Sequence, residues 1–355
     1  MENKNNKKCI GIIFGGVSNE HDVSIASTKA IFDAFNSKRN KEKFIVKLFY
    51  INKIGSWFNH YESLEILNGD QNAYKKINQL RKITAVNFLE NIDFNNVEIW
   101  FPVIHGACGE DGTIQGLIRL TQKPFVGSGI LGSALGMDKI TMKLIFAHLK
   151  IPQVNYYPIN NYDQNDEKLI TKICDEIINK LTFPLFIKPA NSGSSKGISK
   201  INHKDEISTA LKKAGEIDNR IIIEEGHLVR ELECGIIGKS KLKSSKVGEI
   251  HYSSDWYDYE SKYSIKNKII IPANIDPNTE KIIQKSSIYA CKALNISGFA
   301  RADFFLDKET NKIFLNEINT IPGFTTSSMF PMLWAASGLE IDQLVATLVD
   351  ITSES

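Results

Sequence analysis

The densest set of chemistry-bearing side chains lies in two apolar stretches: Arg301-Ala302-Asp303-Phe304-Phe305-Leu306, a polar turn over Asp307 to Lys312, and Ile313-Phe314-Leu315-Asn316-Glu317-Ile318-Asn319. Side chains alternate faces along a strand, so Arg301 and Asp303 share one face of the first arm of a hairpin, and Glu317 and Asn319 one face of the second. Four polar groups therefore converge between apolar strands. Buried carboxylates are costly without a cation, and Arg301 alone does not satisfy two. Asp303, Glu317 and the Asn319 amide form a hard, all-oxygen set suited to Mg2+ held jointly with a substrate phosphate. A structural salt bridge of Arg301 with Asp303 or Glu317 is the competing reading. The following segment, Asn319 to Ser328, runs into a Pro-Gly turn and a hydroxyl-rich loop, the composition of a site rim.

Phe183 to Pro189 reads as an apolar strand that ends in Lys188 and opens into Ala190-Asn191-Ser192-Gly193-Ser194-Ser195-Lys196-Gly197. A lysine beside a Gly/Ser loop suits phosphate contact by a point charge and backbone N–H groups, with the loop folding over a triphosphate; an ordinary hairpin turn is the alternative. Strands are expected at Arg220 to Gly226 and Glu231 to Gly238, with room between them for a purine base along Glu224 to His227 and a ribose at Glu231. Near the start, Gly15-Gly16 is followed by Glu20, His21 and Asp22. This is neither G-x-G-x-x-G nor a Walker A motif, but it sets a carboxylate at the carboxyl end of a strand, where open α/β sheets bind ligands. Glu20 there suits a substrate ammonium group, or simply a helix N-terminus. His105 to Thr113 is a second glycine- and acid-rich loop past a strand, in which His105 reads by itself as structural and Glu110 and Asp111 as helix-start residues.

The elements that must position these groups follow from periodicity and punctuation. A buried strand over residues 8–14 and a helix opened by Ser24 and running to about Phe35 begin a parallel sheet. Further strands are expected over Phe44–Ile51 and Trp100–Ile104, with a helix from Ile114 to Leu120. A short strand and turn follow at Pro124–Gly129, where composition shifts and a domain boundary is placed. Asp138 caps a helix that contains Lys139 and reaches about Leu149; residues 160–180 read as a largely solvated helix. Asp255 to Tyr263 reads as a long ordered loop of the kind that is usually functional. Helices are expected over Lys281–Leu294 and Ile341–Val349, and the Asn-rich segment 59–96 receives no assignment.

The chain has 355 residues, 42% of them hydrophobic, enough for two or three domains with real cores. A net charge of +2 is too balanced for a nucleic-acid or membrane surface to be the main partner. The five cysteines are scattered without C-x-x-C spacing, as in reduced cytosolic proteins, and no targeting or membrane segment is read.

Taken in order, these pieces resemble the D-alanine-D-alanine ligases of the ATP-grasp superfamily from the first strand to the last helix. The resemblance is carried by Gly15 to Ser24, His105 to Gly116, Met137-Asp138-Lys139, Phe183 to Gly197, Tyr257 to Tyr263, Arg301-Ala302-Asp303, Asn316 to Thr320 and Pro322-Gly323. It implies an α/β, three-domain ATP-grasp architecture: an N-terminal parallel-sheet domain (1–127) for the first D-alanine, a central subdomain (128–228) with the phosphate loop, and a C-terminal subdomain (229–355) with the metal and second-substrate site. It further implies that Lys139, Lys188, Ser194 and Ser195 meet ATP phosphates and that Glu224 and Glu231 hold adenine and ribose. Asp303, Glu317 and Asn319 are the implied ligands of two Mg2+ ions, with Mn2+ as an alternative. Glu20 is expected on the ammonium of the first D-alanine, hydrogen-bonded with Ser194 and Tyr263, and His105 joins the substrate-binding set. Ser328 is expected on the second carboxylate, Arg301 and Gly323 at the oxyanion, and Lys262 at the transferred phosphoryl group. The Lys262-Tyr263 pair matches dipeptide-forming members, with the D-alanyl-D-lactate ligases and other ATP-grasp carboxylate–amine ligases as alternatives. A cytoplasmic homodimer engaging neither nucleic acid nor membrane is the accompanying expectation.

Overall fold

The computed structural model describes residues 7–78, 96–251 and 268–353. In the first unit β1 (Lys8–Gly15), α1 (His21–Phe35), β2 (Phe44–Ile51), β3 (Trp57–Phe58), α2 (His60–Leu67), α3 (Gln71–Asn78) and β4 (Ile99–Pro102) follow one another. The sheet order is β3-β2-β1-β4, with β1 parallel to β2 and β4 and only β3 antiparallel. Buried on both faces, β1 is apolar along its length, as parallel strands must be. Helix α1 begins three residues before the expected Ser24. That serine is inside the helix, its Oγ accepting from Gly15 N at 2.8 Å and donating to Val103 O at 2.5 Å, while Glu20 takes the N-cap position.

Three helices lead on: α4 (Thr113–Leu120), α5 (Ile130–Met137) and α6 (Lys139–His148). The strand expected near Phe125 is reduced to a single parallel bridge with Trp100. Asp138 caps α6, accepting from Thr141 N at 2.7 Å, and its carboxylate is gripped by Arg220 at 2.8 Å. The second sheet is antiparallel, order β5-β8-β6-β7, built from β5 (Tyr156–Ile159), β6 (Leu185–Pro189), β7 (Ser199–Ile201) and β8 (Ile221–Glu225). It is backed by α7 (Glu167–Lys180) and α8 (Ile207–Gly215). The solvated helix expected over 160–180 is thus shorter and amphipathic, with Ile170, Ile173 and Ile177 buried at helical spacing.

The third sheet, order β11-β10-β9-β12-β13, comprises β9 (Val229–Gly238), β10 (Lys243–His251), β11 (Lys268–Ile270), β12 (Gly298–Asp307) and β13 (Ile313–Asn319). α9 (Pro277–Ala293) starts at the Asp276-Pro277 cap, ahead of the expected Lys281. α10 (Met329–Ala336) and α11 (Ile341–Thr352) close the chain.

Two packing facts position the site. Helix α6 lies between the second and third sheets: Met142 and Phe146 join the core of the third with Leu232, Cys234 and Phe304, while Ile140 packs on Ala190 and Ile222 of the second. The C-terminal helices return to the first unit, where Phe330, Trp334, Leu344 and Leu348 share a core with Ile12, Phe14 and Phe35. Arg39 pairs there with Asp342 at 3.1 Å. Among the described residues no single helix is long and apolar enough to cross a membrane. All five cysteines are free thiols.

Candidate active site

Alternation along β12 sends Ala300, Ala302, Phe304 and Leu306 into the core and leaves Arg301, Asp303 and Phe305 on the half-buried opposite face. The register sets Arg301 opposite Asn319 and Asp303 opposite Glu317, with a bulge just after Asp303. On the other flank β9 brings Glu233 opposite Asp303 and Glu231 opposite Phe305. Arg301 binds Asp303 with Nε and Nη2 at 2.7 Å each, and its Nε also meets Glu233 at 2.8 Å. Burial works against the guanidinium charge, but Asp303 and Glu233 outweigh it and hold Arg301 well above its ordinary pKa. Asn319 Nδ2 donates to Asp303 at 2.8 Å. Glu317 is engaged from across the cleft by Lys139 at 3.2 Å. Arg301 thus contacts the Asp303 carboxylate and Lys139 the Glu317 carboxylate.

The facing wall carries lysines. In β6 and β8, Leu185, Ile187, Ile221 and Ile223 face the core behind the sheet, so Lys188 and Glu224 point forward toward α6. On α6, Lys139 and Lys143 are four residues apart and share a stripe. Lys139 Nζ donates to Ser192 O at 3.0 Å, tying the Gly/Ser loop to the strand that carries Glu317. The Glu224 carboxylate, 2% exposed, lies between two ammonium groups, Lys143 at 2.7 Å on one oxygen and Lys188 on the other. Burial pushes the Glu224 pKa up, but the two lysines prevail and bring it down to about 2. For Lys188, burial is outweighed by Glu224, with Glu317 and Glu231 adding, and its pKa is raised.

The Gly/Ser loop reaches the first unit. Ser194 Oγ donates to the Glu20 carboxylate, and both Ser194 and Ser195 adopt left-handed backbone, φ 49° and 57°. Glu20 Oε2 sits so close to Gly106 and Gly193 that a Cβ on either would lie 2.7 Å from it. Two glycines thus clear the space for one carboxylate. Behind it His105 is buried, Nε2 3.2 Å from Ser27 Oγ and Nδ1 2.8 Å from Ile321 O, and desolvation lowers its pKa. Glu110 accepts from Gly106 N at 2.9 Å; burial and then the Glu20 charge raise its pKa to about 8. At the far rim Ser328 precedes the first turn of α10, its Oγ 2.7 Å from Thr325 Oγ1 and accepting from Thr325 N at 3.0 Å. A Cβ on Gly323 would meet that Oγ at 3.0 Å, so Gly323 and Ser328 adjoin.

Sequence reasoning missed three charged groups. Lys143 lacks a motif of its own and its sign is that of a surface residue; only its i+4 relation to Lys139 hinted at it. Glu233 was hidden because it reaches the hairpin from β9, and Glu110 because an acid near a helix start is ordinary. The loop expected over Asp255 to Tyr263, Lys262 and Tyr263 included, lies outside the described residues. Among the described residues no three His, Cys, Asp or Glu side chains gather as a metal-holding cluster. Asp303, Glu317 and Asn319 nonetheless adjoin across one ladder, their oxygen donors are those Mg2+ prefers, and the cations they hold mark a place that demands positive charge.

An acidic sheet and a lysine-bearing sheet facing each other, with a Gly/Ser loop leaving the second, define an ATP-grasp protein. Family models for the D-ala D-ala ligase N-terminus and C-terminus match residues 9–128 and 145–350. A D-alanine--D-alanine ligase of Prochlorococcus marinus (strain MIT 9515) is 62% identical over 354 residues, 99% of each chain. Another, from strain NATL1A of the same species, is 47% identical over 98% of this chain and 99% of its own. Among solved structures, the VanG D-Ala:D-Ser ligase of Enterococcus faecalis superposes with TM-score 0.82 at 34% identity, covering 98% of this chain and 100% of that one. The D-alanine-D-alanine ligase of Coxiella burnetii gives 0.80 at 30%, over 98% and 94%. The chain belongs to the D-alanine-D-alanine ligase family.

Proposed function

We propose that this chain joins two D-alanines into D-alanyl-D-alanine at the expense of ATP, through an acyl phosphate, for peptidoglycan precursor synthesis. The observation that carries the reading is the junction of Ser194 with Glu20, which couples the Gly/Ser loop to a carboxylate of the first unit in a chain matched over its length by this family. A carboxylate is a poor electrophile, so the first D-alanine carboxylate attacks the ATP γ-phosphorus and ADP departs. Lys139 and Lys188, with the Ser194–Ser195 loop, neutralise and orient the phosphates. Glu231 faces the ribose; Glu224, bound to Lys143 and Lys188, sits at the base end.

Glu20 holds the first ammonium, and Ser328 at the N-terminus of α10 takes the second carboxylate. The second amine, once deprotonated, attacks the acyl carbon, and Arg301 with the Gly323 N–H stabilises the oxyanion, a contribution of about 3 to 4 kcal/mol per well-placed donor. Phosphate leaves. His105, with both nitrogens taken by protein partners, supports the Glu20 wall of the substrate site. Asp303, Glu317 and Asn319 would hold Mg2+, two ions or Mn2+ in their place, which supplies charge neutralisation at the β- and γ-phosphates. Lys262 and Tyr263 are assigned to the closing loop by resemblance alone.

The three sheets suggest a division of labour, residues 1–127 for the first D-alanine, 128–228 for phosphates and 229–355 for metal and second substrate. A homodimer in the cytoplasm is proposed with it, to be tested as a solution mass twice 39.9 kDa. The deciding experiment is phosphate release from Mg·ATP with D-alanine, L-alanine, or D-alanine plus D-serine or D-lactate. Release with D-alanine alone, yielding dipeptide, is expected. Release only on adding D-serine or D-lactate would move the chain to a relative of altered specificity, and release with L-alanine would overturn the substrate assignment.

A further inference from the structure

Lys143 is one of the most deeply buried charged side chains of the molecule, its side chain 1% exposed, and no step described so far uses it. It is held by its surroundings: Ile140 and Phe146 on the same helix are buried against the two sheets, the Tyr156 ring lies 5.7 Å from its Nζ, and the Gln153 amide caps its carbonyl at 2.9 Å. Its ammonium takes Glu224 Oε1 at 2.7 Å while Lys188 takes Oε2. We infer that Lys143 is a positioning residue for nucleotide binding: by sharing the Glu224 carboxylate it leaves that carboxylate compensated when Lys188 turns to an incoming phosphate. The inference rests on the activity proposed above and deepens it.

The reasoning is one of competition. A buried carboxylate stripped of its only cation is strongly unfavourable, so a lone Glu224–Lys188 pair would resist surrendering its lysine to a phosphate. With Lys143 fixed on the other oxygen, the carboxylate keeps a partner throughout, and Lys188 is exchanged between two anions at small cost. Lys139, 14% exposed at the cleft, contacts a carbonyl and Glu317 and does not share this carboxylate. Lys143 is too enclosed to be a phosphate ligand itself.

The test measures Mg·ATP binding by calorimetry and steady-state constants on K143M, K143R, E224Q and K143M/E224Q. K143M is expected to weaken Mg·ATP about tenfold or more while the D-alanine constants move less than about twofold. K143R should recover most of the loss, and K143M should cost less in an E224Q background than in wild type, because Lys188 is then no longer held by an anion. Unchanged Mg·ATP affinity in K143M would overturn the inference. So would a K143R as weak as K143M, a K143M loss as large in the E224Q background as in wild type, or a K143M that fails to fold while K143R folds, since each makes the role one of packing. If the wild type binds Mg·ATP yet makes no dipeptide, the activity reading fails separately, and the binding series still decides the part played by Lys143.

Discussion

Gly193→Ala probes the contact that joins the phosphate loop to the substrate pocket. A Cβ at residue 193 would stand 2.7 Å from Glu20 Oε2, where ordinary contact begins near 3.4 Å. The carboxylate must move by about 0.7 Å. The flexible Glu20 gives way, not the backbone, so the fold survives. The bond from Ser194 to the other oxygen is stretched or lost, and a hydrogen bond to a charged group is worth about 1.5 to 3 kcal/mol. At about 1.4 kcal/mol per tenfold, the first D-alanine should bind roughly 10- to 150-fold more weakly. Positional isotope exchange in ATP, which needs the acyl phosphate but no second amine, reads that site alone. Gly129→Ala, in open space with φ −69°, is the control and should be silent. An unchanged half-saturating D-alanine concentration in the exchange, or an equal rise for ATP, would refute the proposed link between Gly193, Glu20 and the first substrate.

Glu317→Gln should abolish turnover and leave the melting temperature within a few degrees of wild type, since the residue is partly exposed; wild-type-like kcat would refute its metal role. Glu110, its pKa raised to about 8, keeps a proton in the folded protein that the unfolded chain releases near 4.5. Folded protein therefore binds the extra proton between those values, and stability falls as pH rises through that window. Glu110→Gln should remove this slope and melt higher than wild type at pH 9, as thermal scans at pH 6 and 9 would show. Glu224, brought down to about 2, works with the opposite sign: its stabilisation is present above pH 4.5 and is lost as pH falls toward 2. Glu224→Gln should flatten that acid limb in urea titrations. Phe330→Ala removes a fully buried ring from the core shared by α10 and the first unit, and should cost about 3 to 5 kcal/mol by denaturant titration.

What could be read in the sequence was set by range. The Arg301 to Asn319 hairpin is legible because period-2 alternation and a polar turn are local signals, and the observed register pairs the four polar residues as that alternation requires. Strand β2 and the Asp138 cap follow from equally local patterns. Helix α10 was missed because Met329 to Ala336 is apolar all round and has no polar face to mark a period; it is buried on several sides. Strand β10 was masked by the basic residues at its start, where the chain is an exposed turn. Glu233, Lys143 and the sharing of Glu224 depend on which strand lies beside which, a property of topology that no window of sequence contains.

Nearly every ligand-directed side chain is already paired with protein charge: Lys139 with Glu317, Lys188 with Glu224, Arg301 with Asp303, Ser194 with Glu20. On the proposed roles, the carboxylates of Glu317, Glu224 and Asp303 stand in for ligand charge. On these roles, a phosphate drawing Lys139 away removes one cation from Glu317, and a metal ion on Glu317 competes with the Lys139 ammonium. Either ligand alone therefore unbalances this pair, whereas metal and nucleotide arriving together replace both charges. On the proposed roles, the Lys139–Glu317 bridge couples Mg2+ binding to ATP binding, a coupling that Lys139→Met should reduce by removing one side of the bridge. Free ATP affinity measured in chelator and Mg·ATP affinity should converge in that variant; a gap as wide as in wild type would place the coupling elsewhere. The Lys139 ammonium also holds Ser192 O in the loop that carries Ser194, so on the proposed roles the same exchange would connect nucleotide entry to the grip on Glu20.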